Sequence, residues 1–291
     1  MSDSAFGFKA SDVDFPTGAR GETYHVGALQ DSLPKHWIIP GSWERAESIK
    51  ELWEDVNDTR CPLGTRPHQY HLITGTYNGV KMGMCSTGIG SSAGEIAINE
   101  LIYGGGKNFI RVGTSGCLDP EILSGDLVIV AESRGNVGTV MEYLGRARMF
   151  DYVPSTLAVI ASLDQACITA GLAKITGEHQ RGKGFKVGRG YCSDSFYAGQ
   201  GRPALCGLTE EMEHLIETLE AEGVLTIEME TPGFAAVIKA HRERSPPPYD
   251  EVRFATLLTT VANRKTNDWN EQKEYQMQAL KIASEALWWL E

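Results

Sequence analysis

Phe109-Ile110-Arg111-Val112-Gly113-Thr114-Ser115-Gly116 is the stretch on which the fold of this chain turns. Phe109, Ile110 and Val112 suit a pleated, buried surface. Gly113 and Gly116 let a backbone turn sharply and approach a ligand. The octapeptide therefore reads as a buried strand running into a glycine-rich turn. Thr114 and Ser115 bring two hydroxyls and two amide donors to that turn, and Arg111 places a positive fork just before it. Amides, hydroxyls and an arginine at one strand end suit an oxyanion such as phosphate. A plain strand and turn with Arg111 at the surface is the competing reading, and these eight residues alone do not separate the two.

Working outward, Trp37-Ile38-Ile39 is a first buried strand, broken by Pro40-Gly41-Ser42. Residues 43–56 have helical spacing at Ala46, Ile49, Leu52 and Trp53. Ser42 is a candidate N-cap and Arg45 lies in the first turns, which makes a second place suited to an anion. Residues 68–76 and 80–86 read as strands joined by Tyr77-Asn78-Gly79, a strong hairpin signal. Thr87-Gly88-Ile89-Gly90 leads into a helix over 93–103 that should connect parallel strands in the right-handed sense. Downstream come a strand at 127–131, a stretch of weak periodicity over 132–155, a helix at 155–172 and a strand at 185–192. An acidic helix at 208–223, a strand at 225–229 and an apolar helix at 232–241 follow. A last strand at 254–261 and an amphipathic helix at 270–290 close the chain, with Trp288 and Trp289 read as packing residues. Glu228 and Glu230 stand at the edge of the 225–229 strand, where carboxylates are costly unless they bind something. An ordinary junction, with Glu230 capping the next helix, is the alternative.

The 291 residues, 42% of them apolar, suffice for a sizeable core. A net charge of −11 argues against nucleic acid or an anionic membrane as partner. The six cysteines show neither CxxC pairing nor zinc spacing, so reduced thiols in a cytoplasmic protein are expected. No signal-peptide pattern and no long apolar run occur. Residues 1–20 read as a loose arm and 21–291 as one domain. The expected fold is α/β, a single-domain three-layer sandwich with a mixed, partly barrel-like central sheet. Ligands collect at the carboxyl ends of strands in such sheets. The motifs at Gly41, Thr87-Gly88, Gly113-Thr114, residues 196–202, residues 228–230 and Arg264 all fall there, which argues for one composite site.

Taken together these motifs resemble the nucleoside phosphorylase superfamily, most closely its uridine phosphorylase branch. The match runs through Tyr24-His25-Val26-Gly27, Pro40-Gly41-Ser42-Trp43-Glu44-Arg45, Ser86-Thr87-Gly88-Ile89-Gly90, the opening stretch, Ser195-Phe196-Tyr197-Ala198-Gly199-Gln200-Gly201-Arg202 and Ile227-Glu228-Met229-Glu230. It covers residues 24–290. The Phe-Tyr-x-Gly-Gln-x-Arg stretch is its specific part, because it resembles the pyrimidine-recognition segment. The resemblance implies that Gly41, Arg45, Arg111 and Thr114 bind phosphate and that Phe196, Gln200, Arg202 and Arg264 serve the base. Met229 and Glu230 would hold the ribose, and His25 would reach the 5′-hydroxyl in a neighbouring subunit's site. The implied reaction is phosphorolysis of uridine, or also deoxyuridine, to uracil and ribose 1-phosphate. No cofactor is implied, inorganic phosphate being a co-substrate, and the implied assembly is a homodimer or a hexamer of dimers.

Four positions depart from the pattern. Ser42 stands where an Asp is usual. His68 aligns with the neighbour-subunit arginine that completes many phosphate sites, with Arg66 as an alternative substitute. Gln69 and Ala93 stand where some members hold a monovalent cation through Glu and Ser, so no metal is expected. A purine nucleoside phosphorylase or nucleosidase is the enzyme alternative. It would place an acid after the last strand, where this chain has Asn263-Arg264, with Asp268 further on. A non-catalytic nucleoside-binding protein is the alternative of another class, and it would have no use for the phosphate-binding arginines.

Overall fold

The protein is described by a computed structural model in residues 15–17, 21–59 and 70–291. Its strands are β1 (His36–Pro40), β2 (Glu54–Thr59), β3 (His71–Tyr77), β4 (Val80–Ser86), β5 (Asn108–Cys117), β6 (Leu127–Asn136), β7 (Val153–Pro154), β8 (Ala173–Lys174), β9 (Gly184–Ser193), β10 (Val224–Glu228), β11 (Arg253–Asn263) and β12 (Asp268–Trp269). Its helices are α1 (Trp43–Ser48), α2 (Ser91–Tyr103), α3 (Gly138–Leu144), α4 (Leu157–Thr169), α5 (Glu210–Glu213), α6 (Leu215–Ala221), α7 (Thr231–Arg244) and α8 (Lys273–Trp288).

Among the described residues the strands form one mixed sheet in the order β12-β11-β6-β9-β10-β5-β1-β4-β3-β2. β11 also pairs in parallel with β5, from Arg253 opposite Asn108 to Asn263 opposite Cys117. That pairing closes β5, β11, β6, β9 and β10 into a barrel, and β1, β4, β3 and β2 extend from it as an open wing. β1 is parallel to both β4 and β5, so α2 crosses over β1 to connect them. One face of the sheet packs Ile38, Ile110, Val112 and Leu257 against α1, α4 and α8. The other packs Ile39, Phe109 and Phe254 against α2, α3 and α7. This is the three-layer α/β arrangement with a partly barrel-like sheet. Each of these large side chains, removed from water, contributes about 1.5–3 kcal/mol. No helix of the described residues is long and apolar enough to cross a membrane.

Four local expectations are corrected. The opening stretch does not turn: β5 runs straight through Gly113 and Gly116 to Cys117. Gly113 is required for clearance instead, because a Cβ there would lie 2.8 Å from Leu258 Cδ2 and 2.9 Å from Arg111 Nη2. The helix expected over 43–56 ends early. After α1 a single tight turn reaches Glu51, and β2 begins at Glu54 as an edge strand on β3. Trp53, in the same apolar register, instead anchors that edge, its indole N–H donating to Ser284 Oγ at 3.0 Å. The weak periodicity over 132–155 hides the second half of β6, whose register shifts between Val130 and Glu132, and then α3. The acidic helix at 208–223 is two helices broken at His214. The hairpin stands as read, with Asn78 and Gly79 at φ 48° and 80° between β3 and β4. Residues 1–14, 18–20 and 60–69 lie outside the described residues, and with them most of the expected arm, Cys61 and His68.

Candidate active site

A cavity of about 910 Å³ runs over the carboxyl ends of β1, β4, β5, β10 and β11. Gly41, Arg45, Arg111, Thr114, Phe196, Gln200, Arg202, Met229 and Glu230 all line it, although they come from four separate stretches of chain.

At one end two guanidiniums are buried. Ser42 caps α1 as expected, its Oγ accepting from the Arg45 amide at 3.3 Å. Arg45 is thereby turned inward, with Nε donating to Gln276 Oε1 and Nη1 to the Val112 carbonyl, each at 3.1 Å. Both partners are neutral. Burial, and then the nearby Arg111 charge, lower the Arg45 pKa to about 10. Arg111 extends from β5 over Gly113 and meets two carboxylates. Its Nε donates to Glu228 Oε2 at 3.2 Å, and its Nη2 donates to Glu230 Oε2. Its buried Nη1 has no partner among the described residues. The Ser115 hydroxyl, also on the cavity lining, is likewise buried and unpartnered among them. Thr114 is half-buried at the same end. A buried guanidinium held only by neutral groups, next to a second one with an unused N–H, is a site for an anion.

Mid-cavity, Glu230 occupies the N-cap position of α7 without its side chain capping the helix. The helix is served by Glu228, whose Oε1 accepts from the Thr231 amide at 2.8 Å. Glu230 is free to face the cavity, where Oε1 accepts from the Gly90 amide at 2.7 Å. Burial pushes the Glu230 carboxyl up, and the charge of Glu228 pushes the same way against the pull of Arg111. Glu228 resists the same burial and is held below the ordinary glutamate range by Arg111 and by the hydrogen bonds it accepts from Cys192 and Thr231. Met229 lies half-buried between them on the cavity wall.

At the other end Gln200 is buried, with Nε2 donating to the Glu228 carbonyl at 3.1 Å and Oε1 accepting from Arg202 Nη1. The Arg202 guanidinium carbon lies 4.2 Å from the centre of the exposed Phe196 ring. These three side chains sit on the segment after β9, which Arg264 holds in place. Its Nη1 donates to the Gln200 carbonyl, and its Nη2 donates to that of Gly201 at 3.2 Å. A planar apolar wall, an amide edge and an arginine fit a flat heterocycle with carbonyl acceptors.

A family model described as "Phosphorylase superfamily" matches residues 35–272. The chain belongs to this superfamily. Uridine phosphorylase of Thermococcus kodakarensis is 30% identical over 273 residues, covering 94% of this chain and 88% of its own. A DeoD-type purine nucleoside phosphorylase of an Exiguobacterium species is 28% identical over 257 residues, 87% of this chain and 91% of its own. Uridine phosphorylase of Klebsiella aerogenes is 25% identical over 273 residues, 92% and 98% of the two chains.

Two of the residues singled out in this superfamily chain lie apart from the cavity lining. His25 Nδ1 stands 2.8 Å from Glu100 Oε1, and the amides of His25 and Val26 donate to the same carboxylate. Arg264 acts on the segment carrying Gln200 rather than lining the cavity itself. Two residues at the site have roles that the sequence did not show. Gln276 looked like an ordinary polar position on an amphipathic helix, yet it holds Arg45. Glu228 was visible as a carboxylate at a strand edge, but its grip on Arg111 depends on a partner 117 residues away. Among the described residues Glu47, Asp58 and His71 form a cluster of metal-ligand types, but Lys50 Nζ already donates to both carboxylates.

Proposed function

We propose that this chain is a pentosyltransferase that phosphorolyses uridine to uracil and ribose 1-phosphate. The observation that carries the reading is the pair of buried arginines, Arg45 and Arg111, at one end of a cavity whose other end presents Gln200 and Arg202. A phosphate oxygen attacks C1′ as the C1′–N1 bond breaks and its electron pair passes to the pyrimidine ring. Phosphate is its own nucleophile, so the reaction asks for no cofactor and no covalent enzyme intermediate. The protein must align three fragments and stabilise moving charge. Gly41, Arg45, Arg111 and Thr114 hold the phosphate, His68 completing that end from a neighbouring subunit. Glu230 accepts from the ribose hydroxyls beside Met229. Gln200 and Arg202 stabilise the pyrimidine anion stacked on Phe196, and Arg264 fixes their segment. His25 belongs to a second subunit's site, so the working unit is a homodimer, with a hexamer of dimers as a further assembly. A place in pyrimidine salvage, in a reducing cytoplasm, agrees with the free cysteines among the described residues. The described part of the chain, apart from its arm, acts as one domain.

The base end supports a pyrimidine over a purine. A purine leaving group is helped by a proton donor, which the family resemblance would place after the last strand. Asn263 there donates through Nδ2 to the carbonyls of Asp119 and Ile122 and accepts through Oδ1 from the Lys265 and Thr266 amides. It is consumed by the main chain. Asp268 is paired with Arg181 and Ser124, which hold its pKa down at about 2, so it stays ionised and is no proton donor near neutrality. The deciding experiment measures phosphate-dependent release of free base from uridine, deoxyuridine, thymidine, cytidine and inosine. Uridine should lead, and inosine matching uridine would overturn the assignment.

A further inference from the structure

We propose that Glu228 is the positioning residue of the phosphate end: it fixes the plane of Arg111 so that the Nη1 group remains for the incoming anion. The proposal rests on the reading of that end as a phosphate site. Glu228 cannot serve the substrate directly, because its acceptor positions are already filled. Oε1 accepts from the Thr231 amide at 2.8 Å and from Cys192 Sγ. Oε2 accepts from the Glu230 amide at 2.9 Å and from Arg111 Nε at 3.2 Å, with Arg111 Nη2 at 3.1 Å as well. The side chain is 2% exposed.

These contacts tie three elements to one carboxylate: Cys192 of β9, Arg111 of β5 and the start of α7. Each tie has a consequence at the cavity. Arg111 is gripped along its Nε and Nη2 edge, and Nη1 is the nitrogen left over. Glu230 is fixed by its own amide, which leaves its carboxylate between the Gly90 amide and Arg111. Phe234 of α7 closes the remaining side, its ring centre 5.7 Å from the Arg111 guanidinium carbon. Glu230 is therefore faced by Arg111, by Glu228, by the Gly90 amide and, more distantly, by Arg45. Removing the Glu228 charge loosens Arg111 and relieves Glu230 of a like charge, two effects readable separately.

The test is Glu228→Gln. An amide presents an N–H to one of two donor sets, so it cannot satisfy Thr231 and Arg111 together. Phosphate binding, measured by calorimetry on the intact protein, should weaken at least about tenfold, the size expected for a charged hydrogen-bond partner. Uracil binding should persist. The acid limb of kcat/KM for uridine should move to lower pH, and phosphate titrates alike in both proteins, so the difference reports Glu230. A folded Glu228→Gln protein with wild-type phosphate binding and an unmoved limb overturns the proposal. If that variant does not fold, Cys192→Ala and Cys192→Ser decide. Loss of the Sγ donor should weaken phosphate about threefold and the serine hydroxyl should restore it, whereas two unchanged variants count against the role. A wild type that binds phosphate but cleaves no nucleoside sinks the functional reading and leaves the role of Glu228 standing.

Discussion

The two ends of the cavity hold their arginines in different ways. Arg111 rises from the middle of the sheet, almost wholly buried, and is clamped by two carboxylates that are buried with it. Arg202 sits on a connecting segment, half-exposed, and its described hydrogen bonds go to the Phe196 carbonyl and the Gln200 amide oxygen. Burial lowers the Arg202 pKa with no carboxylate to offset it. The proposed phosphate end is preorganised by charge pairs in a low-dielectric interior, and the proposed base end is assembled from neutral contacts on a loop. A nucleophile that must be aimed belongs at the first kind of site. A ring that must be admitted and released belongs at the second.

Arg111→Ala should break the clamped end most severely. Phosphate-dependent kcat/KM should fall about 10²–10³-fold, the size seen for lost oxyanion donors, while uracil binding survives. Glu228 and Glu230 would then be buried without a cation, so thermal unfolding should show a loss of roughly 3–5 kcal/mol. Normal phosphate kinetics in this variant would mean that β5 has been misread as part of a phosphate site. Arg202→Ala should act on the loop end alone. The preference for uridine over cytidine should shrink by roughly tenfold to a hundredfold, the cost of one mismatched buried donor, with phosphate KM unchanged. A rise in phosphate KM there would show that the two ends are not independent.

The raised pKa of Glu230 makes the clamped end pH-sensitive with opposite signs for folding and catalysis. Above the ordinary glutamate range and below its raised value, folded Glu230 carries a proton that the unfolded chain has lost. Its stabilising contribution is therefore complete at lower pH and is lost as pH rises through the folded value. Over the same window the carboxylate proposed to accept from the ribose hydroxyls is being formed, so kcat/KM for uridine should rise. Glu230→Gln should flatten both trends; an acid limb that persists in it would assign the titration to another group. The smallest effect is expected at His25, outside the lining of its own cavity. His25→Ala should raise KM for uridine about threefold, one neutral hydrogen bond, without touching phosphate binding. A fully active monomer in sedimentation would remove His25 from the site altogether.

The same contrast explains what could be read from the residues in order. Buried strands announce themselves by apolar runs, so β1, β5, β10 and β11 were found, and Asn78-Gly79 gave the hairpin. Where the chain departs from regular alternation, as at the bulge after Val130, periodicity fails and the second half of β6 disappears into an apparent loop. The loop end was the more readable site, because Phe196, Gln200 and Arg202 are close together in sequence. Arg111 was visible, but the reason for Gly113 was not. It looks like a turn residue and is in fact the space over which a guanidinium lies. Glu228 and Gln276 act only across the fold: Glu228 showed as a costly carboxylate at a strand edge but not as the partner of Arg111, and nothing local marks Gln276.

Arg202, finally, lies against the Phe196 ring and holds Gln200 Oε1, on the proposed reading the same surface and acceptor that uracil would use. On that reading the guanidinium and the heterocycle compete for one ring face and one acceptor. Admission of the ring would then be an exchange rather than an addition, the guanidinium giving up the ring face to the heterocycle. Departure runs the exchange backwards, with the arginine returning to the vacated face. Uracil is therefore held only by the difference between two similar sets of contacts. On that reading, a ring held by so small a difference in contacts leaves as readily as it enters.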